Sequence, residues 1–299
     1  MSTVAFLGAV ELGLVYGLVA LGVYLSFRVL SFPDLTVDGS FPLGAAVAAT
    51  AIIGGVGAWP GTGLAMVAGA LAGLVTAVLN VRFKILHLLA SILTMIALYS
   101  VILRIMGRPN IALLTETTVL TPFEGLGSPL LVRPVVLGAV VAVCAALLTR
   151  FLLSEVGLAM RATGANPRMA EAQGIRTGAV TCLGMALSNA LVALAGALFA
   201  QANGFADVTL GTGTIVVGLA AVIIGETVLP QPTVLAAVVG CVVGSVLYRV
   251  AVALALEADF LGLQASDLNL VTALLVGAAL ILPATRARLV GRLAAPAAR

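Results

Sequence analysis

The chain has 299 residues, of which 62% are hydrophobic and 9% charged, with 33 glycines and a net charge of +3. Soluble domains carry roughly 25% charged residues, so this chain lacks the polar material to cover a water-facing surface, and its solvent is lipid. A cytosolic enzyme and a secreted disulfide scaffold are excluded, and so is a nucleic-acid binder, because the 15 Lys and Arg sit at the ends of apolar runs and not on one face.

A helix crossing the hydrocarbon core needs about 20 mostly apolar residues. Stretches 4–30, 43–58, 62–79, 86–106, 134–153, 179–203, 211–229, 232–256 and 268–282 qualify. They predict an all-α polytopic membrane protein, one domain over 1–299, with about nine transmembrane helices (8 to 10), some broken or re-entrant. The first stretch has no positive n-region and outruns a signal peptide, so it is expected to be retained. Glu11 lies about two turns into it and either lines a pathway or faces another helix.

Residues 31–42 hold Pro33, Asp34, Asp38, Gly39, Ser40 and Pro42 and are expected to be non-helical, with Asp38 or Ser40 capping the next helix and Pro42 in its first turn. Three roles are open to Asp34 and Asp38: capping broken helices, binding the cationic end of a substrate along a pathway, or sitting in water. Trp59 is expected at a membrane interface. Gly69-x-x-x-Gly73 has the spacing for close helix contact, read as packing within the chain. Cys144, Cys182 and Cys241 lack metal or redox spacing and read as small core residues, and His87, the one histidine, has no ligand partner nearby.

The seventh stretch opens on Gly211, Thr212, Gly213 and Thr214 and ends at Glu226, which has three candidate roles: inner gate, contact with a cytoplasmic loop, or substrate contact. Asp38-Gly39-Ser40, followed by Gly44, is echoed by Thr212-Gly213-Thr214, followed by Gly218. Arg28, Arg104 and Arg249 fall near the ends of their stretches and are expected to snorkel. The cations in 82–84, 150–176 and 286–299 fall on one side of alternating spans, which makes that side, and the basic tail 284–299, cytoplasmic.

The connection 154–178, SEVGLAMRATGANPRMAEAQGIRTG, is the most charged part of the chain, yet carries apolar points at Met160, Met169, Ala170, Ala172 and Ile175. Residues 164–167 read as a turn, and Pro167 as the start of a short helix that Gly174 ends. A short helix lying across a membrane face finds no lipid to bury it, so it is expected to dock into a partner.

The order Arg161-Ala162, Gly164, Asn166, Ala170, Gly174-Ile175, with Pro167 opening the short helix, resembles the cytoplasmic coupling loop of ABC importer permeases in the branched-chain amino acid and ribose branch. Residues 18–49 resemble the same branch, and most closely its tryptophan-type subgroup with lipoprotein binding proteins. The resemblance implies an inner-membrane permease, homodimeric or pseudo-dimeric, with two cytoplasmic ABC ATPase subunits and an extracytoplasmic substrate-binding lipoprotein. It implies a small polar cargo, an amino acid with an aromatic or branched side chain, moved along a path whose candidate residues are Glu11, Asp34, Asp38, Ser40, Thr212, Thr214 and Glu226. The chain has no G-x-x-x-x-G-K-[ST], so it is expected to be a transport subunit without its own ATP site or bound cofactor, with ATP and Mg handled by the ATPase. Two alternatives stand beside this one: a stand-alone ion-coupled carrier with Glu11, Asp34, Asp38 and Glu226 as relay, and an ABC permease for a sugar or nucleoside.

Overall fold

The apolar runs fold as helices because, without water, a backbone can satisfy its N–H and C=O groups only within itself or against other protein. The computed structural model describes residues 3–126, 128–256 and 277. Helix α1 (Thr3–Val23) widens into a π-helical turn (Tyr24–Val29), and a link leads to α2 (Val37–Ile53), α3 (Ala58–Val81) and α4 (His87–Met106). Then come β1 (Asn110–Ala112), a 3-10 turn (Thr121–Leu126), α5 (Pro129–Leu153), α6 (Glu155–Ala165) and α7 (Pro167–Ala172). After α8 (Thr177–Asn203), the chain forms β2 (Phe205–Asp207), a 3-10 turn (Val208–Gly211), α9 (Thr214–Val228) and α10 (Val234–Leu256).

Among the described residues, seven segments are long and apolar enough to cross a membrane, and α2 is a shorter apolar helix. Each predicted stretch through 232–256 holds a helix, but the second is displaced: α2 spans Val37–Ile53, and residues 54–57 turn the chain into α3. The ninth stretch, 268–282, and the basic tail, 284–299, lie outside the described residues.

Helix α8 is the axis of the bundle. A Cβ on Gly44 of α2 would collide with the Ala193 backbone, on Gly196 with the Phe41 carbonyl, and on Gly69 or Gly73 of α3 with the backbone at Asn189 or Met185. Backbones thus approach without intervening side chains, which is how helices associate where lipid supplies no hydrophobic drive. Gly69 and Gly73 pack inside the chain, as their spacing suggested, while Leu64, Val67, Leu71 and Val75 on the opposite face of α3 are exposed. Helix α1 is the second axis, with Gly13 against Val246 of α10, and Gly218 of α9 against Val19 and Val23.

The π turn begins where Ser188 Oγ of α8 donates to the Gly22 carbonyl at 2.7 Å, and Ser26 Oγ donates to Val23 O at 3.2 Å. A side chain engaging a ladder carbonyl is an identifiable cause of such a distortion, and π turns concentrate at functional sites.

Strands β1 and β2 pair antiparallel, Asn110 opposite Asp207, and cap the end of the bundle remote from Arg82, Lys84 and the α6–α7 region. The Asp207 carboxylate accepts from Thr209 Oγ1 (2.6 Å), Thr209 N (2.7 Å) and Asn110 Nδ2 (3.1 Å). Those bonds, the Thr209 hydroxyl first, hold its carboxyl below the usual range, so this anchoring is present above the ordinary carboxylate pKa and is lost as pH falls through the depressed value.

Two local expectations are corrected. Helix α2 starts at Val37, with Thr36 before it, so Asp38 and Ser40 are inside the helix and not caps, and Pro42 is in the second turn. Proline is tolerated there because the bond it deletes would end on the carbonyl of Asp38, in the first turn, and that carbonyl faces Gly211 so closely that a Cβ would not fit. Gly164 and Ala165 are not in a turn but end α6, an additional helix whose N-cap Ser154 accepts from Gly157 N at 3.3 Å.

Candidate functional site

The link 30–36 and its neighbours form the most polar part of the interior. Asp34 is fully buried, and its carboxylate accepts from Thr36 N (2.9 Å) and Asn189 Nδ2 (2.8 Å). Asn189 Oδ1 accepts in turn from Ser40 Oγ (2.7 Å), while the hydroxyls of Thr36 and Thr76 share a 2.8 Å bond. One network therefore ties the link to α2, α3 and α8. Asp34 and Ser40 belong to it and are enclosed among its partners.

Asp38 faces the other way. Its Oδ1 accepts from Ile215 N at 2.7 Å, and Oδ2 accepts from Gly213 N at 3.4 Å, so a side chain of α2 caps the N-terminus of α9. A carboxylate there meets the free N–H groups and the positive end of the helix dipole. Gly213 takes φ +80°, which breaks the segment between the 3-10 turn and α9. The two echoing triplets noticed in the sequence thus touch in space.

Beside this junction a cavity of about 440 Å³ opens between α2, α4 and residues 208–212, lined among others by Asp38, Pro42, Tyr99, Ser100, Thr209 and Thr212. Thr214 is buried behind it, its hydroxyl near Leu210 O at 3.5 Å. Glu11, part-buried in α1, has Arg133 of α5 as its charged neighbour.

Glu226 makes a two-pronged ion pair with Arg28 of the π turn, joining the ends of α1 and α9. Arg28 therefore pairs and does not merely snorkel. Its side chain is 58% exposed and that of Glu226 21%, so solvent limits the pair to about 1 kcal/mol or less. Glu226→Gln should leave the thermal unfolding of the purified protein nearly unchanged, and a large drop would mean that the pair holds α9 in place.

Arg249 also departs from expectation. It lies within α10, its guanidinium 3.9 Å from the Tyr16 ring centroid, and Tyr16 stacks on Phe41 at 5.6 Å. An aromatic face offers a cation an alternative to reaching for the interface.

At the opposite end of the bundle from β1 and β2, α6 and α7 form a helical pair. Asn166 Oδ1 caps α7 by accepting from Met169 N at 3.1 Å, Pro167 is its first residue, and Gly174 at φ +82° follows its end. Ala170 and Met160 face inward, whereas Leu158 and Met169 are more than half exposed. Ile175 is part-buried, and the Arg161 Nε has no hydrogen-bond partner among the described residues. Gly164 presses on the π turn, where a Cβ would collide with the Val29 carbonyl. The pair therefore sits directly on the segment that leads into the Asp34 link.

Sequence reasoning missed Thr36, Thr76, Asn189, Tyr99 and Ser100. An Asn at the middle of a 27-residue apolar helix was the available signal for Asn189, because an amide there must find partners. Among the described residues no three His, Cys, Asp or Glu side chains are grouped to hold a metal ion.

Residues 6–285 match the family model described as branched-chain amino acid transport system / permease component. The chain is 38% identical over 263 residues, 88% of its own length and 86% of the relative's, to a tyrosine transport system permease protein of Clostridioides difficile. It is 33% identical over 267 residues, 88% of its length and 92% of the relative's, to an uncharacterized protein of Rickettsia prowazekii. No solved structure matches it significantly.

Proposed function

Because the chain belongs to the family of branched-chain amino acid transport system permeases, we propose that it forms the membrane path of an ATP-driven importer for tyrosine or a related aromatic amino acid. The observation that supports it best is the packed route from α7 through Gly164 and Val29 to the Asp34 link and the Asp38 cap of α9.

In this scheme two ABC ATPase subunits hold ATP and Mg and dock on the surface of α6 and α7 around Leu158 and Met169. Their closure moves the helical pair. Gly164 passes that motion to the π turn, the Asp34 network carries it to the base of α2, and Asp38 shifts the start of α9 beside the cavity. Asp38 and Thr212 line the path, while Asp34, Ser40 and Thr214 hold its walls. Such coupling requires each nucleotide state to favour one state of the path, and a helix seated rigidly on the bundle can impose that difference.

The end carrying Arg82, Lys84, Arg150, Arg161, Arg168 and Arg176 then faces the cytoplasm, and the C-terminus with it. A substrate-binding lipoprotein would dock at the opposite end over β1 and β2, and a second copy of the chain would complete the path. The four acids that an ion-coupled carrier would use as a relay lie in separate surroundings, Asp34 in the network, Asp38 at α9, Glu226 on Arg28 and Glu11 near Arg133. That dispersal favours the ATP-driven reading.

Reconstituting the permease with its ATPase and binding protein and measuring ATP-dependent uptake of labelled L-tyrosine tests the whole proposal. Docking is tested separately by Met169→Asp. Met169 is 59% exposed, so the change leaves internal packing alone, whereas at buried Ala170 a large side chain would wreck α7 itself. Loss of a central interface side chain costs about 1–3 kcal/mol, so retention of the ATPase on tagged permease should weaken by roughly 5- to 150-fold. Undiminished retention and uptake would remove α7 as the docking element.

A further inference from the structure

We infer that the cavity between α2, α4 and residues 208–212 is a recognition site for the ammonium group of the transported amino acid, with Asp38 as its receptor. The inference rests on the importer reading and adds which end of the cargo is read and by which atoms.

The chemistry at the Asp38 end of the lining is one-sided. Asp38 Oδ1 is well engaged by Ile215 N at 2.7 Å, but Oδ2 has only the long 3.4 Å contact with Gly213 N. A helix terminus supplies roughly half a positive charge, which leaves a carboxylate under-compensated, and no Lys or Arg among the described residues pairs with Asp38. The two threonines beside it have already spent their protons. Thr209 Oγ1 donates to Asp207 Oδ1 at 2.6 Å, and Thr212 Oγ1 donates to Thr209 O at 3.0 Å. Asp38 and both threonines therefore present acceptors to the cavity, which suits a ligand rich in N–H donors and repels a carboxylate.

Apart from the hydroxyls of Tyr99 and Ser100, the remaining lining is apolar, Met95 and Ile96 of α4 among it. A volume of about 440 Å³ lies within the range of small-molecule sites and has room for one amino acid with a large side chain. An ionisable group at this depth belongs in a wet or protein-covered space, and lipid cannot fill a cavity that Asp38 lines. An ammonium drawn to Oδ2 would compete with Gly213 N and loosen the first turn of α9, so loading the cavity bears on the same joint that the cytoplasmic helices move.

The test uses the permease–ATPase complex in detergent, with Cys144, Cys182 and Cys241 replaced by alanine and Ser100→Cys introduced at the cavity as a site for alkylation. L-Tyrosine and tyramine, which both carry the ammonium, are each expected to slow alkylation about threefold at twice their dissociation constant, since one third of sites are then free. 3-(4-Hydroxyphenyl)propionate, which keeps the ring and carboxylate but lacks the amine, is expected to give no protection. Asp38→Asn should abolish the protection, and Thr212→Val, which leaves the α9 cap in place, should weaken it. Equal protection by all three compounds, or by none, overturns the inference. Uptake by the complete importer separates the two levels. ATP-driven L-tyrosine uptake without protection of the introduced thiol would end the ammonium site and leave the importer standing, whereas absent uptake would end the tyrosine reading itself.

Discussion

A leucine in place of Gly164 is expected to cut ATP-driven uptake by roughly 5- to 150-fold, the range spanned by coupling free energies of about 1–3 kcal/mol between sites, while ATPase subunits still co-purify and hydrolyse ATP at the basal rate. Even a Cβ at Gly164 would strike the Val29 carbonyl, so α6 must lift off the π turn to accept any larger side chain. The side chains of the proposed docking surface, Leu158 and Met169, do not pack against the π turn, since both are more than half exposed. Motion would then enter α6 and α7 and stop there. Unchanged uptake would show that force passes elsewhere, for example along the continuous chain from α7 into α8. Loss of the ATPase itself would show that the contact shapes the docking surface and does not transmit.

Asn189→Ala is expected to destabilise the protein by several kcal/mol, seen as a large fall in the melting temperature of the detergent-solubilised permease. It removes the Nδ2 donor from Asp34 and the Oδ1 acceptor from Ser40 in one step. A neutral polar group buried without a partner costs about 1–3 kcal/mol and a charged one more, and this variant strips a partner from both Asp34 and Ser40. Adding Asp34→Asn to the alanine variant should recover part of the loss, because an amide left without its partner is cheaper than a carboxylate. A melting temperature that does not move in the single variant would mean that the network contributes nothing to holding α2, α3 and α8 together.

Much of the architecture was legible because lipid simplifies the problem. Eight apolar stretches became eight helical segments at nearly the predicted places, since a chain in hydrocarbon has few alternatives to helix. The short helix Pro167–Ala172 also matched, because its start and stop are written locally: Asn166 as cap, Pro167 as first residue and Gly174 at positive φ. The same local logic failed for Pro42, which suggested a helix start and lies in the second turn of α2. What accommodates it is the freed carbonyl of Asp38 against Gly211, a residue far along the chain.

The candidate site divides along the same line. Asp34, Asp38, Ser40, Thr212 and Thr214 stood out as polar residues in an apolar chain, yet nothing local separated the ones that build the walls from the ones that line the cavity. Asp34 and Asp38 are close in sequence and carry identical chemistry, but Asn189 of α8 claims the first and the N-terminus of α9 claims the second. Likewise Arg249 near a helix end looked like a snorkelling side chain until Tyr16 of α1 appeared beneath it.

The solvent, the places of the first eight apolar helices and the short helix in the charged connection are all written in the order of residues, because they follow from transfer energies and from capping within a few positions. The packed bundle alone reveals that Gly164 bears on the π turn, that one aspartate is enclosed while its neighbour caps α9, and that α4 walls one side of a cavity beside it. Those outcomes depend on which backbone comes within van der Waals reach of which carboxylate, and glycines far apart in the chain set that distance.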